Sequence, residues 1–464
     1  MKIKYVIVLD CGATNVRAVA IDQSGKTKAI KSFPNNTEED SGFKGGRIWN
    51  LNKIREKLYA AVNEVLSQLP VMDIIGVAIT TFGVDGAPFD KNGKQLYPVI
   101  SWACQRTAPV MQNIEKYSTL KSLYEKSGVH QFSFNTIYKL IWLLENHPDI
   151  IRKADKWLFM PSILSYHLTS EMYTDTSMAG TSMLTDLNTR DFSDEILDTI
   201  HINKEFFPLL IEAGTRIGKV TKEASNLSGL PAGIPVFAAG HDTQFAIFGS
   251  GAGVNEPVLS SGTWEILMVR TPNVRQDKQA FDAGITTEFD AVPGLYNPGI
   301  QWLGSGILEW IKKNFYADVS DDPNIYEIMI AEAGKFDNTK LKLIPDFLKN
   351  NGQIQNLNLS THRGEIYRAA LNALAEKTKS SLELLEESCG FKAKSLIVVG
   401  GGSKNKLWNK IREGTLGIPI KTIPQTETTV LGAAMFAFAG GGVYRSAEEA
   451  RNVFLGFGSS ESSG

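Results

Sequence analysis

Three consecutive polar residues near the middle of the chain have the types and the placement needed to abstract a proton. His241, Asp242 and Thr243 follow an apolar run, residues 236–239, that is typical of a short buried strand. Gly240 permits a sharp turn between the two, and open α/β sheets bind ligands at the carboxyl ends of such strands. Asp242 is therefore a candidate catalytic base. The alternative is that Asp242 and Thr243 cap the helix that follows.

Two further turns have the composition of phosphate-binding turns. Asp10 ends the first apolar strand, and the turn CGATN (residues 11–15) leads from it into a second strand. Backbone amides and hydroxyls in such a turn bind anions, and a carboxylate at the strand end suits a hydrated Mg²⁺ ion. A β-hairpin whose Gly12 only forms the turn is the alternative. Residues 257–269 (PVLSSGTWEILMV) repeat the strand–turn–strand pattern, which indicates two similarly built halves.

A glycine-rich turn also follows a predicted strand in the last quarter of the chain. Residues 400–402 are three glycines between the predicted strand 395–399 and the predicted helix 407–416. Such a turn offers a surface for a flat ring and a helix N-terminus for phosphate, and packing explains three glycines poorly because each one costs backbone entropy. Gly83 and Asp85 likewise follow a predicted strand, where an ordinary turn is the alternative.

An aromatic residue and an arginine lie together on a predicted loop. Trp102 and Arg106 could flank a sugar, which has an apolar face and polar edges. The alternative is that Trp102 belongs to the core and Arg106 forms a surface ion pair.

The length and composition are typical of a globular protein with more than one domain. At 464 residues it is too long for one ordinary core, and its formal charge of −2 provides no field for nucleic acid or an anionic membrane. Cys11, Cys104 and Cys389 lie far apart, without a CxxC motif, which favours a reducing compartment and neither disulfides nor a zinc site. No stretch approaches the roughly 18 apolar residues of a membrane span. We therefore expect a cytoplasmic enzyme.

The polar turns together predict phosphoryl transfer. The chain has no GxxxxGK[ST] loop, no GxSxG elbow and no cluster of Cys and His. Asp10 holding Mg²⁺, turns binding phosphates, and Asp242 facing an acceptor hydroxyl would form such a site. In that chemistry the protein mainly positions groups and neutralises charge.

Five motifs, in order, resemble those of the FGGY carbohydrate kinases, which share a superfamily with actin and the heat-shock chaperone ATPases. They are DCGATNVR (10–17), FNTIYKLIWLLEN (134–146), GHDT (240–243), SSGTWE (260–265) and VVGGGSKN (398–405). The resemblance covers essentially the whole chain. It implies an α/β fold of two ribonuclease H-like, actin-like ATPase domains with a cleft between them. Residues 1–245 would carry the sugar site, the first phosphate turn and the catalytic Asp, and residues 246–464 the nucleotide site.

The resemblance also implies roles for individual residues. Asp242 would take the proton from the sugar's terminal hydroxyl, and Asp10 would help to hold Mg²⁺. The other implied roles are contacts to the ATP phosphates by Thr14, Asn15, Arg17 and Thr263, to the adenosine by Gly401, Gly402 and Asn405, and to the ketose by Gly83, His241, Thr243 and Asn297. Many relatives carry an Asp where this chain has Cys104, so a sugar contact through Arg106 has weak support.

Within the family the resemblance is strongest to the members that phosphorylate 6-deoxyketohexoses. It implies transfer from ATP to O1 of L-fuculose, with L-rhamnulose, D-ribulose and D-xylulose as alternative acceptors. An alternative of another class is a non-catalytic nucleotide-binding protein of the actin and chaperone type. Family members are often dimers or tetramers, so the resemblance allows a homo-oligomer. The stretch 318–348 is poorly patterned, which is consistent with an insertion on the rim.

Overall fold

The computed structural model describes residues 2–337, 339–349, 351–423 and 427–456. Its first sheet contains β1 (Tyr5–Cys11), β2 (Asn15–Asp22), β3 (Thr27–Pro34), β4 (Ile74–Thr81), β5 (Arg216–Lys219) and β6 (Pro235–Phe237), in the order β5-β6-β4-β1-β2-β3. β4 lies parallel to both β1 and β6, so these three strands end at the same edge of the sheet. β1 is buried along its whole length, as expected of a strand that is covered on both faces.

The second sheet also contains six strands. They are β7 (Pro257–Ser261), β8 (Trp264–Val269), β9 (Thr286–Phe289), β10 (Tyr296–Leu303), β11 (Leu396–Val399) and β12 (Ile420–Thr422), in the order β9-β10-β8-β7-β11-β12. β7 pairs antiparallel with β8 and parallel with β11, and β11 pairs parallel with β12.

The two sheets share one topology over five strands each. The run β3-β2-β1-β4-β6 corresponds to β10-β8-β7-β11-β12, and every neighbouring pair has the same relative direction in both runs. The two hairpin turns that the sequence pairs with each other therefore occupy equivalent places. The predicted internal repeat and the two-domain α/β fold class are confirmed.

The longer helices are α1 (Leu51–Leu66), α2 (Thr136–Asn146), α3 (Met160–Thr169), α4 (Asp242–Gly249), α5 (Ser305–Phe315), α6 (Ile325–Ala333), α7 (Arg363–Cys389), α8 (Lys406–Leu416), α9 (Thr428–Gly440) and α10 (Ala447–Leu455). Apolar residues at helical spacing explain α1, whose Ile54, Leu58 and Val62 are buried against the first sheet. The Asn50 side chain caps this helix by accepting a hydrogen bond from the backbone amide of Lys53. The helices of the described residues are all too short or too polar to cross a membrane.

Shorter elements connect these parts. The short strands are Glu38–Glu39, Arg47–Trp49, Gly86–Phe89, Val99–Ile100, Lys156–Phe159, Thr174–Asp175, Thr185–Asp186, Asp191–Phe192, Leu210–Ile211, Lys342–Ile344 and Gln353–Gln355. The short α-helices are Ala108–Gln112, Leu120–Ser127, Pro148–Lys153, Thr176–Ala179, Asp194–Thr199, Lys222–Ser228 and Lys278–Asp282. The 3₁₀ turns are Val71–Asp73, Gln105–Thr107, Ile114–Lys116, Lys204–Phe206, Ala317–Val319, Phe347–Lys349 and Gly401–Lys404.

The two faces of the first sheet are covered by different parts of the chain. Alternate residues of β1 point to opposite faces: Ile7 and Leu9 pack with α1, whereas Val6 and Val8 pack with α9. α9 comes from the last part of the chain, so this part completes the core of the first sheet. The boundary at residues 245/246 stays a prediction.

Part of the stretch 318–348 belongs to the core. Its α6 packs against α7, and both Met329 and Ala333 are fully buried in the core under the second sheet. The expectation of an insertion on the rim is therefore wrong for α6. The sequence of this helix, IYEIMIAEA, is apolar on most of its circumference, which hides the helical period.

Candidate active site

Asp242 is the first residue of α4, directly after the turn that follows β6. The N-cap position of this helix is His241, and Asp242 and Thr243 lie inside its first turn, so neither is the N-cap residue that the capping alternative requires. The turn requires Gly240, because a Cβ atom there would lie 1.9 Å from Oδ1 of Asp175. Burial raises the pKa of Asp242, and the neighbouring His241 opposes this rise. The side chain still exposes 31% of its surface to the cleft, so it is accessible to a ligand.

His241 lies between two carboxylates. Its Nδ1 is 3.1 Å from Oε2 of Glu288, and its Nε2 is 3.4 Å from Oδ1 of Asp242. Burial lowers the pKa of His241, but the charge of Glu288 and the hydrogen bond to it raise it, and the net pKa lies above the usual value. The structure thus favours the charged imidazolium at this position.

Asp10 is the next-to-last residue of β1, beside the turn of the first hairpin. Its Oδ2 accepts from Nε of Arg17 at 2.7 Å, and the same guanidinium pairs with Glu427 at 2.5 Å. Burial raises the pKa of Asp10 to about 6, Arg17 opposes this rise, and the charge of Asp242 adds to it. Asp10 and Asp242 therefore lie near enough to repel each other, as expected of strands that end at one edge.

The tips of the two hairpin turns are open to solvent. Thr14, Asn15 and Thr263 are all exposed, and the turns are closed by backbone bonds from Gly12 to Asn15 at 2.9 Å and from Gly262 to Trp264 at 3.1 Å. The hydroxyls at these tips are available to a ligand. Arg17 is less available, because it is engaged by Asp10 and Glu427.

The three glycines after β11 have different reasons to be there. Gly400 has a φ of +85°, which favours glycine, and a Cβ atom on Gly402 would lie 2.1 Å from Oγ of Ser261. Gly401 has open space around its Cα and lines the cleft. The backbone angle of Gly400 and the close packing at Gly402 therefore explain two of the three glycines. Asn405 caps α8, accepting from the amide of Trp408 at 3.0 Å.

Two cavities meet at Asp242. The larger has a volume of about 880 Å³ and the smaller of about 320 Å³, and both are lined by Asp242, Thr243, Ile266 and Met268. The larger cavity is further lined by Ala246, Ile247, Val258, Ser260, Val399, Gly400, Gly401, Ser403, Lys404, Lys406, Asn409, Thr422, Ile423, Thr428 and Thr429. It lies along the carboxyl ends of β7, β11 and β12, where α/β sheets bind ligands.

The smaller cavity is lined by both aromatic and polar side chains. Its further lining is Phe82, Gly83, Val84, Trp102, Val129, Phe132, Phe134, Asn135, Thr181, His241, Thr286, Glu288 and Gln301. Phe132 and Phe134 stack with their ring centres 5.0 Å apart. Gly83 admits the imidazole of His241, since a Cβ atom there would lie 2.9 Å from Nε2. Asn297 is fully buried behind this wall, where it donates to Gln244.

Trp102 and Arg106 have separate roles. Trp102 is 40% exposed and lines the smaller cavity, so its assignment to the core is wrong. Arg106 is buried, and its guanidinium donates to Asp40 at 2.6 Å and to Sγ of Cys104 at 3.1 Å. Neither the sugar contact nor the surface ion pair describes Arg106, because its charge is satisfied inside the protein and lies outside this cavity.

A buried ion pair supports the loop that carries Trp102. Asp85 accepts from Lys139, from Nε1 of Trp49 at 2.7 Å and from the backbone amide of Trp102 at 3.0 Å. The side chains of Asp85 and Lys139 are almost completely buried. Asp85 is thus more than a turn residue, because it fixes one wall of the cavity.

Several residues that line the two cavities are not predicted from the sequence. Glu288 and Gln301 lie on strands without a recognisable motif, and they reach the smaller cavity only through the pairing of β8, β9 and β10. Thr428 and Thr429 reach the larger cavity because α9 begins at its rim. The excess of small polar residues in TETT (426–429) is the one signal that could have indicated them.

Models of known protein families match almost the whole chain. The N-terminal domain of the FGGY family of carbohydrate kinases matches residues 5–249, and the C-terminal domain of that family matches residues 258–440. The chain belongs to the FGGY family of carbohydrate kinases. Sugar kinases of this family act on ATP and a sugar, so the chain is a carbohydrate kinase.

Individual relatives of this FGGY kinase span nearly its full length. It is 48% identical to the L-fuculokinase of Escherichia coli (strain K12), over 97% of this chain and 95% of the relative, and 44% identical to that of Haemophilus influenzae, over 96% and 97%. The rhamnulokinase of Bacteroides thetaiotaomicron is 29% identical, over 92% and 89%. The crystal structure of xylulose kinase from Rhodospirillum rubrum has the same fold, with a TM-score of 0.86 at 21% identity over 97% and 92%.

Among residues 2–337, 339–349, 351–423 and 427–456, no group of three or more His, Cys, Asp or Glu side chains is arranged to hold a metal ion. Asp10 is a single carboxylate at the phosphate turn, and its Oδ1 accepts no hydrogen bond from the described residues. Mg²⁺ commonly binds in this way, through one or two carboxylates with water and substrate phosphates. The residues present therefore fit a nucleotide-bound Mg²⁺ ion.

Proposed function

We propose that this kinase transfers the γ-phosphoryl group of ATP to O1 of L-fuculose, giving L-fuculose 1-phosphate and ADP in L-fucose catabolism. The relatives named L-fuculokinase support this acceptor, because they are 44% and 48% identical over nearly the whole chain, whereas the rhamnulokinase is 29% identical. The proposed compartment is the cytoplasm, which suits three unpaired and buried cysteines.

The position of Asp242 where the two cavities meet is the observation that carries the mechanism. A ketose in the smaller cavity and a nucleotide in the larger one would both reach this residue. Asp242 then takes the proton of the O1 hydroxyl as the oxygen attacks the γ-phosphorus, and ADP leaves. Its raised pKa suits a base, since proton transfer is most efficient when the pKa of the base is near the working pH.

The larger cavity is the proposed nucleotide site. Thr14, Asn15, Arg17 and Thr263 are assigned to the phosphates, and Gly401, Gly402 and Asn405 to the region of the adenosine. Of these seven residues, Gly401 is the one that lines the larger cavity. The openness around Gly401 supports this assignment most directly, whereas the side chain of Asn405 is used for the helix cap. Asp10 is the proposed protein ligand of Mg²⁺, which when bound would neutralise charge on the phosphates.

The smaller cavity is the proposed sugar site, and Gly83, His241 and Thr243 line it. Asn297 is assigned a supporting place behind them. The stacked rings of Phe132 and Phe134 offer an apolar surface, which suits the methyl group of a 6-deoxy sugar better than a hydroxymethyl group.

A panel of ketoses with coupled detection of ADP tests the proposed acceptor. L-fuculose should give the highest kcat/KM, ahead of L-rhamnulose, D-ribulose and D-xylulose. A higher value for any of the other three would replace the acceptor. Absence of ATP turnover with every sugar of the panel would contradict the proposed function and favour a non-catalytic nucleotide-binding protein of the actin and chaperone type.

A further inference from the structure

One carboxylate in the proposed sugar cavity comes from the opposite sheet. Glu288 lies on β9, and its side chain is only 14% exposed. Its Oε2 accepts from Nε2 of Gln244 at 2.5 Å and lies 3.1 Å from Nδ1 of His241. Glu288 thus contacts the segment that carries Asp242 at two points, one residue before it and two residues after it.

The imidazole of His241 has little freedom to turn. Its backbone amide donates to Oγ of Ser177 at 3.1 Å, and the ring lies so close to Gly83 that a Cβ atom there would be 2.9 Å from Nε2. One ring nitrogen faces Glu288 and the other faces Asp242. A neutral imidazole would direct a lone pair at one of these carboxylates, so the arrangement favours a proton on both nitrogens.

We propose that Glu288 is a positioning residue for phosphoryl transfer, which holds His241 doubly protonated and thereby keeps Asp242 ionised and oriented as the base. The inference rests on the proposed function, and it concerns a residue that belongs to none of the five motifs. Glu288 acts through His241 and makes no contact of its own with the reacting atoms.

The contacts behind Glu288 support a positioning role. Asn297, directly opposite Glu288 in the pairing of β9 and β10, donates to Oε1 of Gln244, and Gln244 donates to Glu288. This chain of bonds ties the beginning of α4 to the second sheet. Hydrogen bonds that link Asn297, Gln244 and Glu288 limit the arrangements that these side chains can adopt.

The charges around His241 and Asp242 fix the direction of the expected effect. The titratable groups that face His241 are Glu288, Asp242 and Asp175, and those that act on Asp242 include His241, Glu288 and the nearby Asp10. Removing the charge of Glu288 lowers the pKa of His241. The charge of Glu288 itself raises the pKa of Asp242, but the opposing charge of His241 has the larger effect on that pKa. Asp242 therefore becomes harder to ionise when the imidazolium is lost.

The test uses Glu288→Gln, with Glu288→Asp as the conservative variant and Glu327→Gln, on the exposed face of α6, as the matched loss of charge. Glu288→Gln should lose kcat about tenfold or more, the size expected for a charge-assisted hydrogen bond. The acid limb of its kcat/KM profile should move to higher pH. Glu288→Asp should return both toward the wild type, and Glu327→Gln should change neither.

A rise in KM alone, with the pH profile unmoved, would show that Glu288 only contacts the sugar and would overturn the proposal. Nitrogen-15 NMR of the ligand-free protein gives a readout that needs no turnover, with His241→Asn to identify the resonance. In the wild type, His241 should carry protons on both nitrogens at pH 7. In Glu288→Gln, the loss of one of these protons on raising the pH should occur at a lower pH than in the wild type. A neutral His241 in the wild type at pH 7 overturns the proposal even if Glu288→Gln does not fold. Failure of L-fuculose turnover leaves the NMR result intact, so the two proposals fail separately.

Discussion

Replacing Asp242 with Asn removes the proposed base while keeping its shape. Asn has the same size, and its Oδ1 can still accept the bond that Oγ1 of Thr243 donates at 3.3 Å. The change therefore removes the capacity to accept the proton and leaves both cavities in place. A positioned base is worth about 10²–10⁴-fold in rate, which corresponds to about 2.7–5.5 kcal/mol of transition-state free energy. We expect a loss of kcat in this range and little change in the KM of either substrate.

The stability of the Asp242→Asn variant separates a chemical loss from a folding defect. The pKa of Asp242 is raised in the folded state, so the folded form binds this proton more tightly than the unfolded form. Its contribution to stability is present at low pH and is lost as the pH rises through the folded pKa. At neutral pH the ionised carboxyl therefore costs stability, and Asn should leave Tm unchanged or raise it.

Ketose-dependent release of ADP, measured beside thermal unfolding, checks both parts of this prediction. Asp321→Asn, in an exposed turn, is the matched control and should behave as the wild type. An Asp242→Asn variant whose kcat stays within a few-fold of the wild type would refute the assignment of Asp242 as the base.

Three further predictions concern the metal, the glycines and pH. Asp10→Asn should shift the Mg²⁺ titration of kcat to higher concentrations, and an unchanged titration contradicts the assignment. Gly402→Ala should lower the free energy of unfolding by about 1–3 kcal/mol, because a Cβ atom would lie 2.1 Å from Oγ of Ser261. Gly401→Ala should leave the free energy of unfolding unchanged. Denaturant unfolding of both variants measures this difference. The kcat/KM of the wild type should fall with decreasing pH at values above the range of an ordinary carboxyl, since burial raises the pKa of Asp242, and a profile that stays flat down to about pH 4 contradicts this.

The sequence predicts the elements whose pattern is local. β1 is a continuous apolar run, α1 has helical spacing, and the hairpin turns are marked by glycine and threonine, so their places could be read directly. The equivalence of the two sheets also follows from the repeat of strand, turn and strand. α6 could not be read in this way, because a short helix that is apolar on most sides has no visible period.

The residues of the candidate site also divide into those that a local sequence pattern predicts and those that it does not. Asp10 lies near the end of β1 and Asp242 follows β6, and these strands end at the same edge of the sheet, so the sequence could bring the two residues together. Glu288 enters the site through the register of β9 against β10, which no local pattern encodes. Arg106 shows that nearness in the sequence can also mislead. Its spacing from Trp102 predicts a shared role, but Trp102 lines the cavity, whereas Arg106 pairs with Asp40 in the interior.

A crystal structure with L-fuculose and a non-hydrolysable ATP analogue tests the central claim most directly. We expect O1 of the sugar within hydrogen-bond distance of the Asp242 carboxylate, about 2.6–3.2 Å, and the terminal phosphate of the analogue facing O1 from the larger cavity. A sugar bound with O1 away from Asp242, or a nucleotide outside the larger cavity, would contradict the account.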